Sequence, residues 1–228
     1  MKKILIAETN VNQYGNDASR KTGVWLEEIT SFYDVVTKAG YEVDFASPKG
    51  GKVPVDPHSM HADAHTMEIY NDSKFHKAAF EETRKLSELN ADDYIAIYFG
   101  GGHGVIWDFP EDEDLQKLAE RIYAVGGYIT SVCHGEVGLI NLRDENGEHL
   151  IKGKKINGFT NEEEGMNGTD KILPYLGETE LVKHGAEFVK GQPFTEFAIS
   201  DQRFITGQNP MSSTKVAEML VEALSLKE

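Results

Sequence analysis

A single cysteine in 228 residues cannot close an intrachain disulfide or build a multi-thiolate zinc site, which points to a reducing compartment, the cytosol. Long apolar runs are missing as well. Nothing approaches the roughly 20 apolar residues that span a bilayer, and Ile4-Leu5-Ile6-Ala7 is shorter than the roughly 7 to 15 residues of a secretory core. Cations are outnumbered: 23 Lys and Arg against 38 Asp and Glu leave a formal net charge of −15. Binding a polyanion requires clustered Lys and Arg, and no run exceeds Lys2-Lys3 or Lys154-Lys155, so nucleic acid and anionic membrane are excluded as expected partners. With 39% of residues hydrophobic, the chain suffices for one full-sized core, expected as a single domain over 1–228 with a loop excursion around 47–66.

The apolar residues are arranged as alternating strands and helices. Lys3 to Ala7, Val43 to Ala46, Tyr94 to Phe99 and Tyr128 to Val132 are short continuous runs, the pattern of strands buried on both faces. Between them, Trp25, Ile29, Phe32, Val36 and Ala39 form one helix face ending at Gly40, and Leu115, Leu118, Ala119, Ile122 and Val125 form another ending at Gly126-Gly127. A further helix is expected over Phe75 to Leu89. The alternation predicts an α/β fold, a doubly wound, mostly parallel sheet sandwiched by helices. Phe197 to Ser200 and Arg203 to Thr206 read as a hairpin around Asp201-Gln202, and a last helix is expected to be capped by Ser212 or Ser213.

In such sheets ligands bind at the carboxyl ends of the strands, where Gly100 to Gly104 and Cys133 to Gly135 fall. Ser131 and Gly135 flank Cys133 by two residues, the spacing of a nucleophile elbow with cysteine in place of serine. A thiol opening a helix faces unpaired N–H groups that favour thiolate, and His134 supplies a base; the competing reading is an inert core thiol. Gly101 and Gly102 read as an oxyanion hole beside the thiol, or as a phosphate turn that lacks both the dinucleotide and the P-loop spacing. His103 is open between a structural and a catalytic role. Glu27-Glu28 and Glu162-Glu163-Glu164 read first as solvated acidic faces, although Glu28 lies close enough to the apolar stripe to point at the sheet edge. His58, His61 and His65 would share a helix face, but they sit in loop-like sequence, so a solvated cluster is preferred to a metal site.

These segments together resemble the ThiJ/PfpI superfamily, with its class I glutamine amidotransferase-like, flavodoxin-like fold, and within it the glyoxalase III and heat-shock chaperone branch. The resemblance is carried by Lys21-Thr22-Gly23-Val24-Trp25, Ala46-Ser47-Pro48-Lys49-Gly50-Gly51, Gly101-Gly102-His103-Gly104, Val132-Cys133-His134-Gly135, Gly158-Phe159-Thr160 and Thr206-Gly207-Gln208-Asn209-Pro210. It implies Cys133 as nucleophile, His134 as proton carrier, Glu164 as the residue orienting His134, with Glu163 as the alternative register, and a protonated Glu28 beside the thiol. It also implies a homodimer. One departure is Glu136, where many relatives carry proline or a small residue, and a charge near the pocket rim is expected from it. Some longer relatives bind a metal, and no such ligand set is carried over.

The leading functional expectation is a cofactor-independent glyoxalase that converts methylglyoxal to D-lactate without glutathione. The rivals are a deglycase or cysteine amidase using the same thiol, and a stress-induced holdase that would not need it. Oxidation of the thiol as a redox sensor is a further reading.

Overall fold

Ile4 and Ile6 of the first strand join one hydrophobic cluster and Leu5 and Ala7 the other, and all four are fully buried, as a strand covered on both faces requires. The computed structural model describes residues 3–226, so both ends of the expected 1–228 domain lie outside the described residues. The strands are β1 (Lys3–Ala7), β2 (Gln13–Tyr14), β3 (Asp17–Lys21), β4 (Val43–Ser47), β5 (Arg84–Lys85), β6 (Tyr94–Phe99), β7 (Tyr128–Val132), β8 (Lys155–Ile156), β9 (Glu187–Phe188), β10 (Ala198–Asp201) and β11 (Phe204–Gly207). The helices are α1 (Leu26–Lys38), α2 (Ala64–Asn71), α3 (Ser73–His76), α4 (Val105–Asp108), α5 (Glu113–Ala124), α6 (Asn161–Asn167), α7 (Gly177–Lys183) and α8 (Ser213–Ser225).

Seven strands form the central sheet in the order β10-β11-β7-β6-β1-β4-β5, all parallel except the β10–β11 pair. One face packs Ile4, Ile6, Tyr98 and Val132 under α1 and α8, where Phe32 stacks on Tyr98 with centroids 3.8 Å apart. The other packs Leu5, Ile97, Phe99 and Ile129 against Leu115, Leu118 and Ile122 of α5. The chain runs from β1 through α1 to β4 on one side and returns to β6 on the other. The strand order therefore reverses between β1 and β6, and the crevice opens at their carboxyl ends.

Three local expectations are corrected. The helix expected over Phe75 to Leu89 ends early: α3 passes into a π-helical turn, Lys77–Glu81, and the chain then extends as β5. The cause is long-range, because Thr83 and Gly51 exchange backbone hydrogen bonds and Arg84 pairs with Ala46 of β4. The hairpin turn lies one residue later, at Gln202-Arg203, with Gln202 at φ 54°. Ser212 precedes α8 but does not cap it with its side chain; its hydroxyl accepts from the Phe197 N–H. Within the 47–66 excursion, the 3-10 turn Pro57–Met60 is capped by Asp56, whose other oxygen binds the Thr22 hydroxyl.

Candidate active site

Val132 leaves β7 in an extended conformation and Cys133 turns to φ 56°, the left-handed region that a non-glycine residue enters at a cost of about 1–3 kcal/mol. Close backbone approach holds the turn. A Cβ at Gly135 would lie 2.1 Å from the Phe99 carbonyl oxygen, so only glycine lets the elbow press against β6. The segment after the cysteine, Cys133–Leu139, is a 3-10 helix rather than the expected α-helix.

The elbow sets the thiol beside its neighbour. Cys133 Sγ lies 3.3 Å from His134 Nδ1, and His134 Nε2 donates to Glu164 Oε1 in a short hydrogen bond. The other carboxylate oxygen accepts from His103 Nε2 at 3.2 Å and from the Thr169 hydroxyl. Burial alone would raise Glu164, but the two imidazoles outweigh it and hold the carboxyl well below the usual carboxylate range. An ionised acceptor at Nε2 keeps the proton on that nitrogen, which leaves Nδ1 of His134 as a lone pair facing the thiol.

On α6 the two glutamates face different partners. Glu163 closes a capping box with Thr160, and its Oε1 accepts from Phe194 N, Gln208 Nε2 and Asn209 Nδ2, so it ties loops together. Glu164, one position on, faces the histidines. Both are buried, against the expectation of a solvated acidic face.

Glu28 is fully buried in the first turn of α1, and its Oε2 accepts from the Gly101 N–H at 2.7 Å. The N–H of Gly101, expected as an oxyanion donor, bonds Glu28 in this structure. The Gly102 N–H makes no backbone hydrogen bond among the described residues. Glu28 Oε1 has no hydrogen-bond partner among the described residues, and the carboxyl interacts with the Cys133 thiol. Burial pushes Glu28 up to about 8, so at neutral pH it carries a proton.

The thiol is not the freely formed thiolate that a helix start suggests. Burial pushes Cys133 well above the usual thiol range, the charges of Glu28 and Glu136 push the same way, and the His134 backbone N–H opposes them. Glu136 is itself raised well above the usual carboxylate range by burial. The resting thiol is therefore protonated, with His134 Nδ1 3.3 Å away as its neighbouring acceptor.

A stability prediction follows from Glu28. Its folded carboxyl keeps a proton that the unfolded chain has released, so raising the pH favours unfolding. The stability it contributes is complete below about 4.5 and is lost as the pH rises through about 8. Wild-type Tm should fall across that window, with buried Glu8 and Glu136 acting in the same direction, and Glu28→Gln should fall less steeply. Thermal melts over the window measure both slopes, and equal slopes reject the assignment.

Among the described residues, His103, His134 and Glu164 are the only three metal-type groups with ligand atoms within 4.8 Å of one another. Here both imidazoles use the shared carboxylate as hydrogen-bond acceptor. His58 bonds Asp56 and His65 bonds Asp34, each at 3.1 Å, so they do not converge on one point.

The chain matches the DJ-1/PfpI family over residues 21–223. It belongs to that family. A glutathione-independent glyoxalase of Saccharomyces cerevisiae is 37% identical, with 98% of each chain covered. The crystal structure of glyoxalase III from Candida albicans superposes with a TM-score of 0.91 at 35% identity, covering 97% of each chain. The Rapid Encystment Protein of 24 kDa from Francisella tularensis superposes at 0.94 and 34% identity, covering 98% of this chain and 99% of that one.

This DJ-1/PfpI chain also carries polar groups that sequence reasoning missed or misplaced. Glu136 is not at a pocket rim: it is fully buried, neither oxygen has a hydrogen-bond partner among the described residues, and a Cβ at Gly177 would lie 2.2 Å from its Oε1. Two glycines, Gly158 and Gly177, make the room it needs, and that pairing is the signal the sequence held. Tyr14, in the β2–β3 hairpin, lies against His103 with centroids 5.2 Å apart. Asp108 is raised by burial to about 7 while accepting from Thr9 Oγ1 and the Asn10 N–H.

Proposed function

We propose that this protein is a glutathione-independent glyoxalase that converts methylglyoxal to D-lactate through a thiol adduct on Cys133. The observation that carries the reading is the unbroken hydrogen-bond chain from Cys133 Sγ through His134 to Glu164, in a chain similar over its whole length to glyoxalases. His134 Nδ1 takes the thiol proton, the sulfur adds to the aldehyde carbon, and the imidazolium passes that proton to the new alkoxide, which gives a hemithioacetal and frees Nδ1. The same nitrogen then removes the proton on that carbon and returns it to the neighbouring carbon through an enediol, leaving a lactoyl thioester. Water hydrolyses the thioester and restores the thiol. A positioned histidine contributes roughly 10² to 10⁴ in rate to such transfers.

Protonated Glu28 donates to the sulfur, the Gly102 N–H supplies the oxyanion donor, and His103 shares the carboxylate that serves His134. The reaction uses no cofactor. A homodimer in the cytosol is the expected assembly and place; among the described residues no helix is long and apolar enough to cross a membrane. Purified protein with methylglyoxal and no added thiol should release D-lactate, read by a D-lactate-specific dehydrogenase. Absence of product, or racemic product, rejects the reading.

A further inference from the structure

We propose that Tyr14, presented by the β2–β3 hairpin, is a substrate-contacting residue of the thiol pocket whose hydroxyl donates a hydrogen bond to the ketone oxygen of the thiol-bound dicarbonyl. The proposal rests on the glyoxalase reading and names the residue that would serve the second carbon.

The hairpin has no place in the main sheet and little packing of its own. All five residues of β3 are exposed, and the turn Gly15-Asn16 puts glycine, at φ 52°, in the first central position that a two-residue turn of this hand favours. What anchors it is Tyr14. The ring lies 5.2 Å from His103 and 5.4 Å, edge-on, from Trp107, centroid to centroid, and Gly15 packs against the Trp107 indole. The His103 ring in turn lies 4.0 Å, centroid to centroid and tilted by 39°, from that of His134, whose Nδ1 is 3.3 Å from the thiol sulfur. Tyr14 therefore forms a wall one ring removed from the reacting atoms.

The hydroxyl has no hydrogen-bond partner among the described residues, although the ring is held on two sides. Burial raises its pKa, and the charges of Asp56, Glu164 and Cys133 add to the effect, so the phenol stays a donor and does not serve as a base. The chemistry has a place for such a donor. When His134 takes the proton from the first carbon of the hemithioacetal, the C–H electron pair becomes the new carbon–carbon double bond. The former ketone π pair moves onto the second oxygen, which becomes an enediolate. A neutral donor aimed there is strengthened as that charge develops, and no proton need leave it.

Tyr14→Phe keeps both ring contacts and removes only the hydroxyl. A hydrogen bond to a charged oxygen is worth roughly 10- to 100-fold in equilibrium terms, so kcat/KM for methylglyoxal should fall by about that factor, carried by kcat with KM little changed. Alkylation of Cys133 by iodoacetamide and the Tm should match wild type, because the wall is intact. A variant with wild-type kcat/KM beside an active wild type overturns the proposal alone. A loss accompanied by faster alkylation and a lower Tm also overturns it, since the residue would then act only as a wall. A wild type that does not turn over any dicarbonyl overturns the glyoxalase reading, and this proposal falls with it.

Discussion

Cys133→Ala should lower methylglyoxal turnover by at least about 10³-fold, the largest effect of any single change in this protein. No other thiol exists in the chain to substitute for it. The elbow is set by crowding between Gly135 and Phe99, so alanine inherits the same backbone position while offering no nucleophile. Without the sulfur, His134 and Glu164 still form their hydrogen bond but have no adduct to act on. The measurement is D-lactate release under saturating substrate, with circular dichroism to verify the fold. Undiminished product would remove Cys133 from the mechanism. Suppression of client aggregation that survives the substitution would favour the holdase alternative for that separate property.

Glu164→Gln should reduce kcat by roughly 10² to 10⁴. The carboxylate accepts from two imidazoles and one hydroxyl at once. An amide has a single acceptor oxygen, so one histidine would face an NH₂ group and have to turn its ring or its tautomer. It also removes the negative charge opposite the imidazolium that forms when the buried thiol ionises. The burial that raises Cys133 makes this charge more valuable here than it would be at an exposed thiol. Glu163→Gln is the internal comparison. That residue serves Thr160, Phe194 and Asn209, so its loss should lower Tm while leaving kcat of the folded protein nearer to wild type. A series of kcat values and melts on the two variants separates the roles, and equal kcat losses would contradict them.

The parts of the fold legible in the sequence are those fixed by local periodicity. β1 and β6 are near-continuous apolar runs, β4 and β7 are largely apolar segments interrupted by Asp44 and by Thr130-Ser131, and α1 and α5 show a stripe that stops at glycine. The elbow was legible for a similar reason, since Ser131 and Gly135 mark the crowding around Cys133. What escaped depends on partners far along the chain. β5 breaks the helix expected over Phe75 to Leu89 because β4 and Gly51 claim its backbone. The β2–β3 hairpin has no apolar alternation to announce it, because β3 is solvated throughout. Glu136 reads as a charge near the pocket rim, and only the joint presence of Gly158 and Gly177 gives it a buried slot. The ionisation of the thiol escaped for another reason: helix-end arguments treat only local dipoles, whereas desolvation by the whole site dominates.

The position of β11 between β10 and β7 bears on how the chain is made. Until residues 204–207 leave the ribosome, β7 has β6 as its only partner, and the strand that carries the thiol is an open edge. A nascent or truncated chain ending before Phe204 thus presents, directly next to its sulfur, an open strand edge whose residues are all buried in the finished fold. Completion of the β10–β11 pair closes that edge and removes the aggregation-prone surface.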